Sequence, residues 1–276
     1  MSTIYKSAAG ERALVEAYAD ILARWPQPRQ QLRLQTRHGD TAVIASGPED
    51  APPLILLHGA GSNSLTWMGD AEVWARTFRV YAVDIIGEPG ASAPVRLPYA
   101  TGDYADWLDD VLAGLGVERA CFVGLSLGGW LSLDYALRRP ERVERLILMC
   151  PGGIGRTKPG FMLKAGPLLA LGGWGRRRLL KLIAGDYASG EVGAYLDLIF
   201  THFKPRRDAL PFVSDESLAA LRTPTLTILG ARDELIDSAD TARRLAKAPA
   251  VEVVMLSEAG HVIAEQAERV LRFLGR

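Results

Sequence analysis

Gly124-Leu125-Ser126-Leu127-Gly128 is the stretch on which the fold turns. It follows the apolar run Cys121-Phe122-Val123 and opens into Gly129 to Leu137, whose spacing suits a helix. A serine between two glycines, set where a strand passes into a helix, reads as a nucleophile elbow. The glycines are required because the serine sits on a strained turn, where side chains two residues either way would strike neighbouring backbone. The turn exposes the Ser126 hydroxyl. The helix behind it offers unpaired N–H groups, with that of Leu127 aimed where a carbonyl oxygen would gain negative charge.

With 28 glycines in 276 residues, such a pentapeptide arises by chance too often to stand alone. A serine hydroxyl is a poor nucleophile until a base takes its proton, and the base needs a carboxylate to fix its tautomer. The expected chain order is Ser, acid, His. Thr225 to Gly230 reads as a buried strand with Asp233 in the loop at its carboxyl end, and Val251 to Leu256 as another, with Ala259-Gly260-His261 after it. Asp233 and His261 complete the order. Glu234 and Asp237 compete for the acid role, and Asp233 is preferred for its place three residues past Gly230. A fourth element, His58-Gly59-Ala60-Gly61, follows the apolar strand Leu54 to Leu57. Its loop can supply a second oxyanion donor, assigned to the backbone N–H of Ala60; removing one such donor typically costs about 3 kcal/mol of transition-state stabilisation. His58 precedes the serine, so chain order makes it a loop-tying histidine and not the base.

These four elements in this order resemble the α/β-hydrolase superfamily, from about Leu32 to Phe273. Tyr81 to Gly87, the run Gly124 to Gly129 and the N-terminal helix make the chain similar to the bacterial carboxylesterase NP group. The loop from Asp84 to Ser92 is one residue longer than the widespread D-x-x-G-x-G-x-S form, which fits that group. The resemblance implies the α/β-hydrolase fold: a mostly parallel, twisted sheet covered by helices on both faces, with an inserted helical cap.

Composition agrees. Residue totals of 32 basic and 32 acidic, with a pI near 6.9, argue against a dedicated nucleic-acid partner. Residues 1–12 lack a signal-peptide core, and no apolar stretch approaches the ~20 residues of a membrane span, so the expectation is a soluble cytoplasmic protein with no stable membrane insertion. Cys121 and Cys150 fall near opposite ends of adjacent predicted strands, beyond the ~7 Å reach of a disulfide, and neither has a histidine at catalytic spacing. No metal site is assigned.

Along the chain, Gly10 to Trp25 has helical spacing and ends at Pro26. Residues 31–37 and 41–46 alternate like paired strands around a turn at His38-Gly39-Asp40. From there apolar strands at Leu54 to Leu57, Val80 to Ile85, Ala120 to Gly124 and Leu146 to Met149 alternate with helical segments near Leu65 to Thr77, Asp103 to Leu115 and Gly129 to Arg138, which implies a parallel, doubly covered sheet. Such sheets bind ligands beyond the carboxyl ends of their strands, where all four proposed elements fall. Between Pro151 and about Pro211 glycines, Leu/Ala runs and Arg176-Arg177-Arg178 replace strands. The expected organisation is core 1–150, a cap of two to four short helices at 151–211, and core 212–276. Phe161, Met162, Leu168, Leu169, Trp174, Tyr195 and Phe200 are candidates to line a substrate pocket or simply to pack cap on core. Leu168 to Leu182 has the arginines of a lipid-surface segment, although its glycines weaken the helix this would need.

The expected chemistry is ester hydrolysis of a small molecule through a Ser126–His261–Asp233 triad and an acyl-enzyme, with Ala60 and Leu127 amides as oxyanion hole and no cofactor. The same constellation serves carbon–carbon hydrolysis and cofactor-free perhydrolysis, and a slow or non-catalytic receptor can retain it.

Overall fold

The computed structural model describes residues 4–275, apart from the side chain of Met162. Among these residues the chain forms one eight-stranded sheet in the order β1-β2-β4-β3-β5-β6-β7-β8. Strands β1 (Arg29–Thr36) and β2 (Gly39–Ser46) form a hairpin, and β2 pairs antiparallel with β4 (Arg79–Val83). The rest pair in parallel: β4 with β3 (Pro53–Leu57), then β5 (Ala120–Leu125), β6 (Val143–Met149), β7 (Thr225–Gly230) and β8 (Val251–Leu256).

Alternation along the strands builds two apolar layers. Leu54 and Leu56 of β3 point to one side, Ile55 and Leu57 to the other, and all four are fully buried, as a parallel sheet covered on both faces requires. The first layer is closed by Leu22 of α1 (Ala8–Leu22), Trp74 of α2 (Met68–Trp74) and Phe273 of α10 (Ala267–Leu274). The second is closed by Trp107 of α3 (Asp103–Gly114), Trp130 of α4 (Leu127–Arg138), Leu218 of α8 (Asp215–Ala220) and Leu245 of α9 (Ser238–Leu245). The β6–β7 connection carries α5 (Pro159–Ala170), α6 (Gly172–Ala184) and α7 (Gly190–His202), within the stretch read from sequence as helical.

Two differences from the sequence reading are local. The first hairpin turns at Arg37-His38, because Gly39 takes φ +110° and already pairs with Thr36. The segment at Leu65 to Thr77 starts as a 3₁₀ turn, Ser64–Trp67, capped by the Asn63 side chain, and becomes α-helical only at Met68.

The β5–α4 turn shows why glycines flank Ser126. Ser126 adopts φ +52°, a left-handed conformation uncommon for a residue with a side chain. A Cβ on Gly124 would lie 2.3 Å from the Gly128 carbonyl oxygen, and one on Gly128 would lie 2.0 Å from that of Leu57. Gly128→Ala is therefore expected to cost more than about 3 kcal/mol of stability. Gly69→Ala, in open space on α2, is expected to be neutral or stabilising by up to about 1 kcal/mol. Urea denaturation of both variants checks the contrast.

Candidate active site

The carboxyl ends of the parallel strands converge on Ser126. Its Oγ lies 3.0 Å from His261 Nε2, and His261 Nδ1 lies 2.7 Å from Asp233 Oδ2. Asp233 is completely buried and His261 nearly so, whereas Ser126 is partly exposed. Each comes from a different loop: Ser126 from the β5–α4 turn, Asp233 after β7, His261 after β8. The serine backbone is fixed by its N–H to the Met149 carbonyl, and its own carbonyl accepts from Trp130 and Gly152. With Asp233 on Nδ1, Nε2 faces the serine as the acceptor of its proton.

The other oxygen of Asp233, Oδ1, accepts from the backbone N–H groups of Leu235 and Ile236. Burial alone would raise this carboxyl, but the hydrogen bond and charge of His261 and the two amides outweigh it and hold the group below the ordinary range. The competing acids are engaged elsewhere: Glu234 pairs with Lys164 at 2.8 Å, and Asp237 caps α9 through the Asp240 N–H. Cys150 Sγ comes within 4.8 Å of the Asp233 and His261 ligand atoms, which is metal-ligand spacing. Asp233 is already committed to His261 and two amides, and burial, with the nearby Asp233 charge, pushes the thiol up. Both cysteines are free and buried.

The loop after β3 folds over Ser126. Gly128 N–H donates to the His58 carbonyl, and a Cβ on Gly59 would lie 3.7 Å from that of Ser126. His58 is a brace: Nε2 accepts from Ile85 N–H at 2.9 Å, so Nδ1 carries the proton and donates to the Gly59 carbonyl at 2.8 Å. Burial lowers its basicity and keeps it neutral. Asp84 ties the same two loops together, accepting from Ser64 N–H and Ala91 N–H. Among the described hydrogen bonds, neither the Ala60 nor the Leu127 amide is a donor.

Of the residues expected around a pocket, Tyr195 reaches the site loops, its hydroxyl accepting from Asn63 Nδ2 at 2.7 Å. Phe161 and Leu168 pack with Ala165, Leu179 and Leu235, next to the acid loop. Phe200 is partly buried on α7, and the Met162 side chain lies outside the described residues. Leu169 and Trp174 turn away from the core and are 53% and 61% exposed. For Trp174 the cause is Gly175: a Cβ there would meet the Leu168 carbonyl at 1.7 Å, so the glycine faces α5 and its neighbour rotates outward.

Glu88 went unrecognised in the sequence. It lies in the Asp84–Ser92 loop, 3% exposed, and its Oε2 accepts from Gly61 N–H at 2.6 Å, one residue beyond the proposed donor Ala60. Its only sequence signal is an acid within Gly87-Glu88-Pro89-Gly90 at the end of a strand.

The profile of the alpha/beta hydrolase family matches residues 54–273. The chain belongs to this family. It is 33% identical to the uncharacterized carboxylesterase nap of Bacillus subtilis, covering 94% of this chain and 91% of that one. It is 34% identical to carboxylesterase YbfK of the same organism, over 94% and 92%. The solved structure of naproxen esterase (carboxylesterase NP) from Bacillus subtilis superposes with a TM-score of 0.86 at 32% identity, over 98% of this chain and 99% of that one. The protein is thus a carboxylesterase-like hydrolase. Among the described residues no helix is long and apolar enough to cross a membrane.

The buried carboxyl of Glu88 yields a prediction. Burial pushes it up to about 7 from an ordinary 4.5, against the Gly61 amide and the charges of Arg96 and Arg206. The folded protein therefore holds this proton to higher pH than the unfolded chain, so its contribution to stability is greatest below about pH 4.5 and is lost as pH rises through about 7. Glu88→Gln, which keeps an acceptor for Gly61, is expected to gain on the wild type by roughly 3 kcal/mol between about pH 4.5 and about pH 8. Denaturant titrations at the two ends of that range measure it.

Proposed function

We propose that the protein is a serine hydrolase that cleaves small-molecule carboxylic esters in the cytoplasm, without a cofactor, through an acyl-enzyme on Ser126. The observation that carries this reading is the unbroken hydrogen-bonded line from Ser126 Oγ through His261 to the buried Asp233. Whole-chain similarity to carboxylesterases supports esters over the other substrates the same fold serves.

His261 takes the Ser126 proton as the hydroxyl attacks the ester carbonyl, and Asp233 holds the imidazole and offsets its new charge. The backbone amides of Ala60 and Leu127 receive the oxyanion: Leu127 opens α4, and the Ala60 loop is held over the serine by the Gly128–His58 bond. His261 then protonates the departing alcohol. A water deprotonated by the same histidine releases the acid and restores Ser126. Residues 151–211 act as the cap, and Phe161, Leu168, Tyr195 and Phe200 contribute its apolar lining.

Steady-state hydrolysis of a p-nitrophenyl ester series, from acetate to long acyl chains, tests this reading. Ser126→Ala is expected to lose a factor on the order of 10⁴ or more in kcat, and Asp233→Asn on the order of 10³ to 10⁴. Intact-protein mass spectrometry of an acid-quenched reaction should find the acyl group on the wild type and not on Ser126→Ala. Absence of wild-type turnover across the series, or equal rates in the serine variant, would remove ester hydrolysis.

A further inference from the structure

α5 is apolar on two sides, but only one is covered. Its inner face presents Phe161, Ala165 and Leu168 at i, i+4 and i+7, packed on Leu179 and Ile183 of α6 and on Leu235. These contacts, with Gly175 against the Leu168 carbonyl, make α5 and α6 an antiparallel hairpin. The outer face presents Leu163, Gly166, Pro167, Ala170 and, just past the helix, Leu171 at i, i+3, i+4, i+7 and i+8, all exposed. Leu163 is 76% and Leu171 59% exposed. A helix apolar all round is normally buried all round. Lys164 is the one charged residue in α5.

α6 carries exposed residues of a different chemistry. Trp174, Arg177, Arg178 and Lys181 recur at i, i+3, i+4 and i+7 and are all exposed, so they share one face. Arg177, Arg178 and Lys181 have no ion pair among the described residues, whereas neighbouring Arg176 is paired with Asp197. The charge belongs to this region: residues 151–211 hold ten Lys or Arg against four Asp or Glu, in a chain with 32 of each. The glycines of α6 do not prevent the helix, which runs from Gly172 to Ala184.

We propose that the outer face of the α5–α6 hairpin docks the protein on an anionic lipid surface. Exposed leucines and a tryptophan on a hairpin that also carries long, unpaired cationic side chains suit the boundary between acyl chains and headgroups. A second copy is the poorer occupant, since an isologous contact through this face would gather Arg177, Arg178 and Lys181 of both copies into one interface, and residues 159–184 hold no Asp or Glu to pair them. The proposal goes beyond ester hydrolysis and does not depend on it. It also places the hairpin's inner face, which rests on Leu235 beside Asp233, directly above the lipid.

Cosedimentation of the full chain with sucrose-loaded vesicles, phosphatidylcholine alone or mixed with phosphatidylglycerol, tests it without any readout of turnover. Binding to the mixed vesicles is expected to exceed binding to the neutral ones by tenfold or more, and to fall with added salt. Each lost cation should weaken binding about fivefold, so Arg177→Gln with Arg178→Gln should weaken it by more than twentyfold. Leu163→Asp with Leu171→Asp should abolish it while far-UV circular dichroism stays unchanged. Trp174 emission should shift blue on binding and be quenched by brominated lipid, a signal missing from Trp174→Phe. Failure to sediment with the anionic vesicles, or undiminished sedimentation of both double variants, overturns the proposal. So does a lipid-free dimer, seen by analytical ultracentrifugation, that Leu163→Asp with Leu171→Asp dissociates, because the face is then a protein interface.

Discussion

Everything at the site depends on one close approach of backbone to backbone, where α4 begins against the end of β3. Gly128 comes so near the Leu57 carbonyl that no side chain fits, and its N–H donates to the next carbonyl, that of His58. This crossing forces Ser126 into a left-handed conformation costing about 1–3 kcal/mol. The strain is sustained because three neighbouring backbone groups, of Met149, Trp130 and Gly152, hold the serine from both sides. One contact therefore fixes Ser126, starts α4 beneath it and brings the β3 loop over it.

The carboxylates around this crossing differ in how far their oxygens are satisfied. Asp84 has two backbone amides, one on each oxygen, and serves as a clamp between two loops. Asp233 has two amides on one oxygen and His261 on the other, which favours its ionised form despite complete burial. Glu88 has a single amide and two arginine charges that do not outweigh its desolvation, so its proton is held far longer. Three buried acids within one set of loops thus do three jobs: a clamp, an orienting anion, and a support under Gly61 that titrates near neutrality.

The convergence of Ser126, Asp233 and His261 was legible because each sits in a loop after an apolar strand, and parallel strands bring such loops to one end of the sheet. The fold was legible for the same reason: Leu54-Ile55-Leu56-Leu57 can be apolar throughout only where both faces are covered. Glu88 was not legible, because its role comes from a loop folding back on Gly61, 27 residues away in sequence. In the sequence Trp174 is one of the apolar residues of 151–211 that could line a pocket or pack cap on core. Its orientation is set by what Gly175 lacks, a steric fact carried by the neighbouring residue. The turn before β2 moved because Gly39 could take a positive φ and still pair, which hydrophobic pattern does not record.

The β6–β7 insertion is mechanically part of the acid loop. Lys158, just before α5, donates from Nζ to the Asp233 carbonyl at 2.5 Å, and its N–H donates to the Leu235 carbonyl. Leu235 then packs into the inner face of the α5–α6 hairpin, while its own N–H bonds the Asp233 carboxylate. A force on the hairpin is therefore transmitted through two residues to the anion that orients His261. On the other flank, Tyr195 of α7 holds Asn63, whose Nδ2 also reaches the Pro89 carbonyl beside Glu88. Both loops are thus bonded from the β6–β7 connection, the Asp233 loop by Lys158 beside α5 and the loop after β3 by Tyr195 of α7.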